Sequence, residues 1–225
     1  MKPSISSPQR GESGLLDLFV ILIAVALVAL VGYYVITRPA QRKSKRINCT
    51  NLQKQIGLSF RLWASDNGDK MPAQVSTNSG GTMELVSSGL VYPHFLVMSN
   101  ELGSPQLLRC FSDLQRQAAK NFASLCDSNI SYFAVPEADE SNPELWLSGD
   151  RNLATNNIGL TAGLFRMPTN QFISWTTQLH NNAGNLCFAD GSVQQPSSTK
   201  LHSYATNALR VHFATTNTSF RLAIP

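Results

Sequence analysis

His180 and Asp190-Gly191, separated by nine residues, carry the side chains with the most chemical potential in this chain. A histidine, a carboxylate and a serine hydroxyl are the parts of a nucleophilic triad, in which the imidazole takes the hydroxyl proton and the acid orients the ring. The G-x-S-x-G elbow that would present such a serine is absent. Asp190-Gly191 also sits between two alternating runs in NLCFADGSVQ, the pattern of a two-residue hairpin turn. A structural role is therefore expected, with His180 bonding that hairpin or capping a strand end. His94, His202 and His212 read as surface or satisfied core histidines.

Four cysteines, Cys49, Cys110, Cys126 and Cys187, allow three disulfide pairings. No C-x2-C or H-x3-H spacing points to zinc, and buried free thiols are the alternative to bridges. Glu137, Asp139, Glu140 and Glu144 form the only acid cluster. Loop carboxylates and carbonyls can hold calcium, but this spacing fits no defined calcium loop, and a solvated loop is the competing reading. Asp150-Arg151 suggests an ion pair. Phosphate loops, dinucleotide fingerprints and H-E-x-x-H are absent.

The elements that must position these groups begin with residues 15–36, an apolar run of 22 residues whose only acid is Asp17. About 20 apolar residues cross a bilayer core as a helix. The run exceeds the core of a cleaved secretory signal and ends in TRPAQRKSKR rather than a small-residue cleavage site. Beyond it, Leu52, Ile56, Phe60 and Trp63 recur at helical spacing, with Gln53, Lys54, Gln55, Ser59, Arg61 and Ser65 assigned to the other face. Asn67-Gly68-Asp69 is the stop signal. The spacing predicts one helix of about fifty residues, bent near Pro39.

Charge divides along the same line. Residues 1–46 carry seven Lys/Arg against Glu12 and Asp17, a net of +5, whereas residues 47–225 net −1. The body has no basic stripe, which argues against nucleic-acid binding. The basic residues after the run favour a cytoplasmic body by the positive-inside count; the four cysteines favour an outside one.

The remaining chain suits one α+β domain. Strands are expected at Val91–Met98, Leu107–Cys110, Ile130–Val135, Leu145–Leu147, Phe172–Trp175 and Phe220–Ile224. The 185–194 hairpin adds two more. Partial helix is expected over Thr82–Leu90, a helix over Leu114–Leu125, and a last helix capped by Ser197 or Ser198 and running to about His212.

In order, these features are an apolar N-terminal helix, Cys49 with NLQKQIGLSFRLWASDNGDKMP, a Cys-x-Ser-Asp at 110–113, NISYF, LSGDRNL, and His180 nine residues before Asp190-Gly191. Together they resemble the bacterial pilin-like proteins with a prepilin-type N-terminus and a His-x9-Asp-Gly motif, which are similar to the major pseudopilin of type II secretion. The resemblance covers nearly the whole chain. It implies a basic leader (1–14), a transmembrane helix (15–36), a helix continuation (37–67) and an extracytoplasmic pilin-like α+β domain (68–225), with the long helix packed on a mainly antiparallel sheet.

It implies a non-enzymatic subunit of a type II secretion or type IV pilus-type system, sited in the bacterial inner membrane with its N-terminus cytoplasmic. Its partners would be the bilayer, other pilin-like subunits, inner-membrane secretion components and prepilin peptidase. No cofactor is implied apart from calcium, which major pseudopilins bind, and here Glu137, Asp139 and Glu140 would be its ligands. Cleavage would follow Gly14 and methylation would fall on Leu15. This chain has Leu15 where the family has Phe, Phe19 where it has a glutamate, and Phe111 where it has Pro. The glutamate is thought to pair with a neighbour's new amine in the filament core. Asp17 is the nearest acid, so the alternative is an anchored extracytoplasmic binding domain that never polymerises. Cys49 and Cys110 match family cysteine positions and are expected to pair. Cys126 and Cys187, each beside a strand, would then form a second bridge if those strands are neighbours.

Overall fold

The computed structural model describes residues 12–215 and 220–225. Most of the leader lies outside this range, as do the side chains of Leu15 and Pro39. The chain divides into two compact units, Met1–Ser44 and Lys45–Pro225. Helix α1, Glu12–Asp66, supplies residues to both, and its backbone stays helical at Pro39.

In the first unit the large apolar side chains from Leu16 to Ile36 are exposed, Val28 to 74% and Phe19 to 62%. Among the described residues this is the one helix long and apolar enough to cross a membrane.

In the second unit α1 becomes one-sided. Cys49, Ile56, Phe60, Trp63 and Ala64 are buried. Each large apolar side chain so buried contributes about 2 kcal/mol. Gln53 and Ser59, assigned from the sequence to the polar face, are buried instead. The Ser59 hydroxyl donates to the carbonyls of Gln55 and Glu101 at 2.9 and 3.1 Å, which meets its need for a partner. Gly68 closes the helix at φ +68°, and the amides of Asn67 and Asp69 both donate to the Ala64 carbonyl.

Among the described residues nine strands follow: β1 Tyr132–Ala134, β2 Trp146–Asp150, β3 Leu153–Thr155, β4 Ile158–Gly159, β5 Gly163–Arg166, β6 Ile173–Trp175, β7 Leu186–Phe188, β8 Val193–Gln194 and β9 Arg221–Ile224. They form a six-stranded sheet, β5-β9-β1-β2-β7-β8, and a three-stranded sheet, β4-β3-β6. Every pairing is antiparallel. The α+β class and the antiparallel sheets agree with the sequence reading. β2 is buried along its whole length and lies between β1 and β7. Gly149 keeps that packing close, because a Cβ there would fall 2.6 Å from the Phe133 ring.

Several local expectations fail for identifiable reasons. Val91–Met98 is not a strand: Tyr92–Leu96 form a short helix, α2, with Pro93 in its first turn. Its entry is held by Asp127, whose Oδ1 accepts from the amides of Val91 and Tyr92 at 3.0 and 2.8 Å. A further one-turn helix, α3, spans Ser99–Leu102. The expected strand at Leu107–Cys110 is a 3-10 turn at Pro105–Leu108.

The expected helix at Leu114–Leu125 is absent except for a 3-10 turn at Phe122–Ser124. Carbonyls there are satisfied by distant side chains instead: Arg109 donates to Arg116, Asn129 to Gln117, and Gln106 to Ala119. The last helix, α4, runs from Ser198 to Thr215, and the Ser197 hydroxyl accepts from the Lys200 amide at 3.3 Å. α4 is tied to β6 through Ser198, whose Oγ accepts from the Trp175 amide at 3.1 Å.

The 185–194 hairpin forms, but with a three-residue loop rather than two. Phe188 and Ser192 close it through a 2.9 Å bond, and Gly191 at φ +81° takes the left-handed bulge position. The two-residue turn lies elsewhere. Thr155 pairs with Ile158 across Asn156 and Asn157, at φ 48° and 67°.

Candidate functional site: a buried disulfide, histidine and aspartate

Cys49 on α1 and Cys110, just after the 105–108 turn, form a disulfide with Cα atoms 5.4 Å apart. Both are fully buried. The expected Cys126–Cys187 bridge does not form. β2 separates β1 from β7, so the strands thought to bring these thiols together are not neighbours. Cys126 is exposed and its sulfur contacts the Ser128 hydroxyl at 3.1 Å, while Cys187 is buried in β7. Burial first, and the Asp190 carboxylate second, push the Cys187 thiol up to about 12, which leaves it chemically silent.

His180 faces the disulfide. Its Nε2 lies 3.4 Å from Cys110 Sγ and 3.3 Å from Asp150 Oδ2. Through Nε2, then, His180 meets a disulfide sulfur and a carboxylate rather than the hairpin that the motif spacing suggested. Asp190 sits apart on the hairpin turn, where its Oδ1 accepts from the Ser192 amide and its carbonyl accepts from Arg61. The triad reading loses its geometry: His180 meets a sulfur, and Asp190 meets backbone.

Asp150 ends β2 and is fully buried. Its Oδ2 accepts from the Asn185 amide at 2.7 Å and from Asn185 Nδ2 at 3.0 Å. Its Oδ1 is buried with no donor. Asn185 reaches onward to α1, where its Oδ1 accepts from Thr50 Oγ1 at 2.9 Å. Arg46 donates to the Gly184 carbonyl. Burial lowers its pKa from the ordinary value, and the nearby Asp150 carboxylate opposes the shift. Gly184 is required by close approach, since a Cβ there would lie 2.6 Å from the Trp175 ring. Gln53, one turn beyond Cys49, is fully buried with neither amide atom partnered.

The pair read as Asp150-Arg151 resolves into two contacts of opposite direction. Asp150 turns to His180 and Asn185, while Arg151 makes a fork on Asp113 at 2.8 and 2.9 Å. Burial pushes the Asp113 carboxyl up, and Arg151, together with Ser131 and the Gln115 amide, more than reverses it, leaving the group below its usual range. The Cys-x-Ser-Asp and LSGDRNL motifs are thus two sides of one joint.

The acidic residues proposed for calcium turn to separate partners. Glu137 bonds the backbone and guanidinium of Arg221, Glu140 pairs with Arg61 at 2.8 Å, and Asp139 accepts from the Ser141 amide. The ligand-like cluster among the described residues is a different one, Cys49, Cys110 and His180, with donor atoms within 4.8 Å of one another. Sequence spacing missed it because its members lie far apart in the chain. In the other unit, Gly14 and Asp17 lie on the exposed helix.

No protein-family model matches the chain, and neither a curated protein nor a solved structure does.

Proposed function

We propose that this chain is a pilin-like, non-enzymatic subunit of a type II secretion or type IV pilus-type system. Residues 15–36 anchor it in the bacterial inner membrane, and the α+β body lies outside. The observation that carries this reading is α1 itself. One unbroken helix exposes large apolar side chains from Leu16 to Ile36 and then buries a face in an antiparallel body. An exposed apolar helix needs lipid or other helices around it. A subunit that leaves the bilayer for a helical bundle exchanges one such surrounding for the other. A buried disulfide suits an oxidising compartment.

Phe19 favours a second reading, an anchored extracytoplasmic binding domain that stays single. An amine placed in an apolar bundle without an acid is costly, and Phe19 offers none.

Intact mass of the protein from its native membrane tests both. Loss of residues 1–14 with a methyl group on Leu15 is the expected result for assembly. A full-length or Met-trimmed chain refutes pilin processing and leaves the anchored domain.

A further inference from the structure

We propose that the turn carrying Phe111 and Leu114 docks into the cleft beside Glu144 and Asp190 of a second copy of this chain. The contact rests on the assembly reading, whose bodies it would join.

Leu114 is 87% exposed, more than any described large apolar side chain of the stem, and Phe111 is 51% exposed. Neither hangs on a loose loop. The Cys49–Cys110 bridge ties the start of the turn to α1. The Asp113 amide donates to the Cys110 carbonyl at 3.0 Å and closes the turn, with Phe111 at its corner. Arg151 forks onto the Asp113 carboxylate, which also accepts from the Gln115 amide at 3.1 Å. Arg109 donates to the Arg116 carbonyl at 3.0 Å. Apolar side chains scattered singly on a surface are ordinary. Two held at fixed positions form an anchor that loses little freedom on binding.

The same body carries a cleft of about 280 Å³ between the 143–144 loop, the 185–194 hairpin and α4. Phe188 and Tyr204 wall it, edge to face with ring centres 5.2 Å apart. A cavity of about 150 Å³ already holds a benzene ring, so the cleft has room for a phenyl group and a neighbour. Charge selects the occupant. Glu144 and Asp190 line the cleft, and neither carboxylate joins an ion pair among the described residues. Lys200 stands over the Tyr204 ring at 5.1 Å, which leaves two acids against one base. Beside the turn, Arg109 and Arg116 donate to backbone carbonyls, and neither joins an ion pair among the described residues. A basic turn and an acidic cleft attract, which fixes the face that meets the face.

The two patches lie at different levels of α1. The turn is bonded to Cys49, whereas the hairpin tip lies against Arg61: a Cβ on Gly191 would fall 3.1 Å from Arg61 Cδ, and one on Gly57 would fall 3.4 Å from Gly191 Cα. From Cys49 to Gly57 and Arg61 the helix climbs about 12–18 Å at its usual rise. With stems parallel, docking displaces each copy by that step. Unlike patches make the contact heterologous, so a free turn remains at one end and a free cleft at the other, and the array propagates. The contact is small by itself; stems confined to one membrane raise its effective concentration.

The test is cross-linking of full chains in their native membrane, in a Cys126→Ser background, with a short bismaleimide. Leu114→Cys puts a thiol on the turn, and Asn207→Cys puts one on an exposed cleft residue. Co-expressed, the two chains should form a heterodimer, and a chain carrying both should form a ladder. Phe111→Asp and Glu144→Lys should each lower the heterodimer at least about tenfold, with near-ultraviolet circular dichroism unchanged. A yield unchanged in both variants overturns the contact. So does a Leu114→Cys homodimer of equal yield, or capture of a different protein with none of the cleft. Intact mass of the same chains separates this inference from the reading beneath it. Processed chains without the heterodimer overturn the contact alone. Unprocessed chains without it overturn both. Unprocessed chains with it keep the contact and refute pilin processing.

Discussion

Removing the Cys49–Cys110 bridge should cost about 4 kcal/mol. The cysteines are 61 residues apart. The chain-entropy relation for a closed loop of that length gives about 14 cal/mol/K, or about 4 kcal/mol at room temperature. The perturbation is the double variant Cys49→Ala/Cys110→Ala, so that no reactive thiol remains at the site. Urea unfolding of the full chain in micelles, followed by near-ultraviolet circular dichroism with a chelator present, reads the loss. With a slope of about 2 kcal/mol/M, the midpoint should fall by about 2 M. Cys126→Ser is the control: the thiol is exposed and unbridged, so its change should stay within about 0.5 kcal/mol. A double-variant loss below about 1 kcal/mol, or one matched by the control, would refute the assignment of the bridge as the main covalent tie of the body.

Three further outcomes follow from single contacts. Burial lowers the His94 pKa from 6.5 to about 4, so the folded state holds this ring neutral; stability is full above about pH 6.5 and drops by about 3 kcal/mol toward pH 4, and His94→Gln should flatten that acid limb in urea midpoints measured against pH. Arg151→Ala leaves the buried Asp113 carboxylate unpaired and should cost about 3 kcal/mol in the same assay, while Arg151→Lys recovers only part because an ammonium cannot form the fork; full recovery would contradict the bidentate reading. Gly57→Ala would place a Cβ 2.7 Å from Cys187 Sγ and should cost about 1–2 kcal/mol, relieved in a Cys187→Ala background when the two are measured as a double-mutant cycle.

Sequence pattern reached the elements whose signal is local. The apolar run, the Gly68 stop, the Ser197 cap and the 185–194 hairpin each rest on a few adjacent residues. It failed where distant side chains decide the backbone. Tyr92–Leu96 has strand-type residues, yet Asp127 and Pro93 make it helical. Residues 114–125 lose helix because their carbonyls are taken by Arg109, Gln106 and Asn129. Asn156-Asn157 was a readable turn signal that could have revealed the small sheet. The candidate site was legible only as isolated letters. Cys49, Cys110, Asp150 and His180 come from four separate segments, and no spacing rule joins them before the sheet order is known.

The contact of Cys187 with Gly57 gives the molecule an internal clock. Its thiol is silent while Gly57 of α1 lies against it, and an opening that parts the two should make it reactive. Cys126, open to solvent on the same chain, sets the rate for an unprotected thiol. The ratio of the two alkylation rates therefore measures how rarely Gly57 and its turn of α1 part from β7.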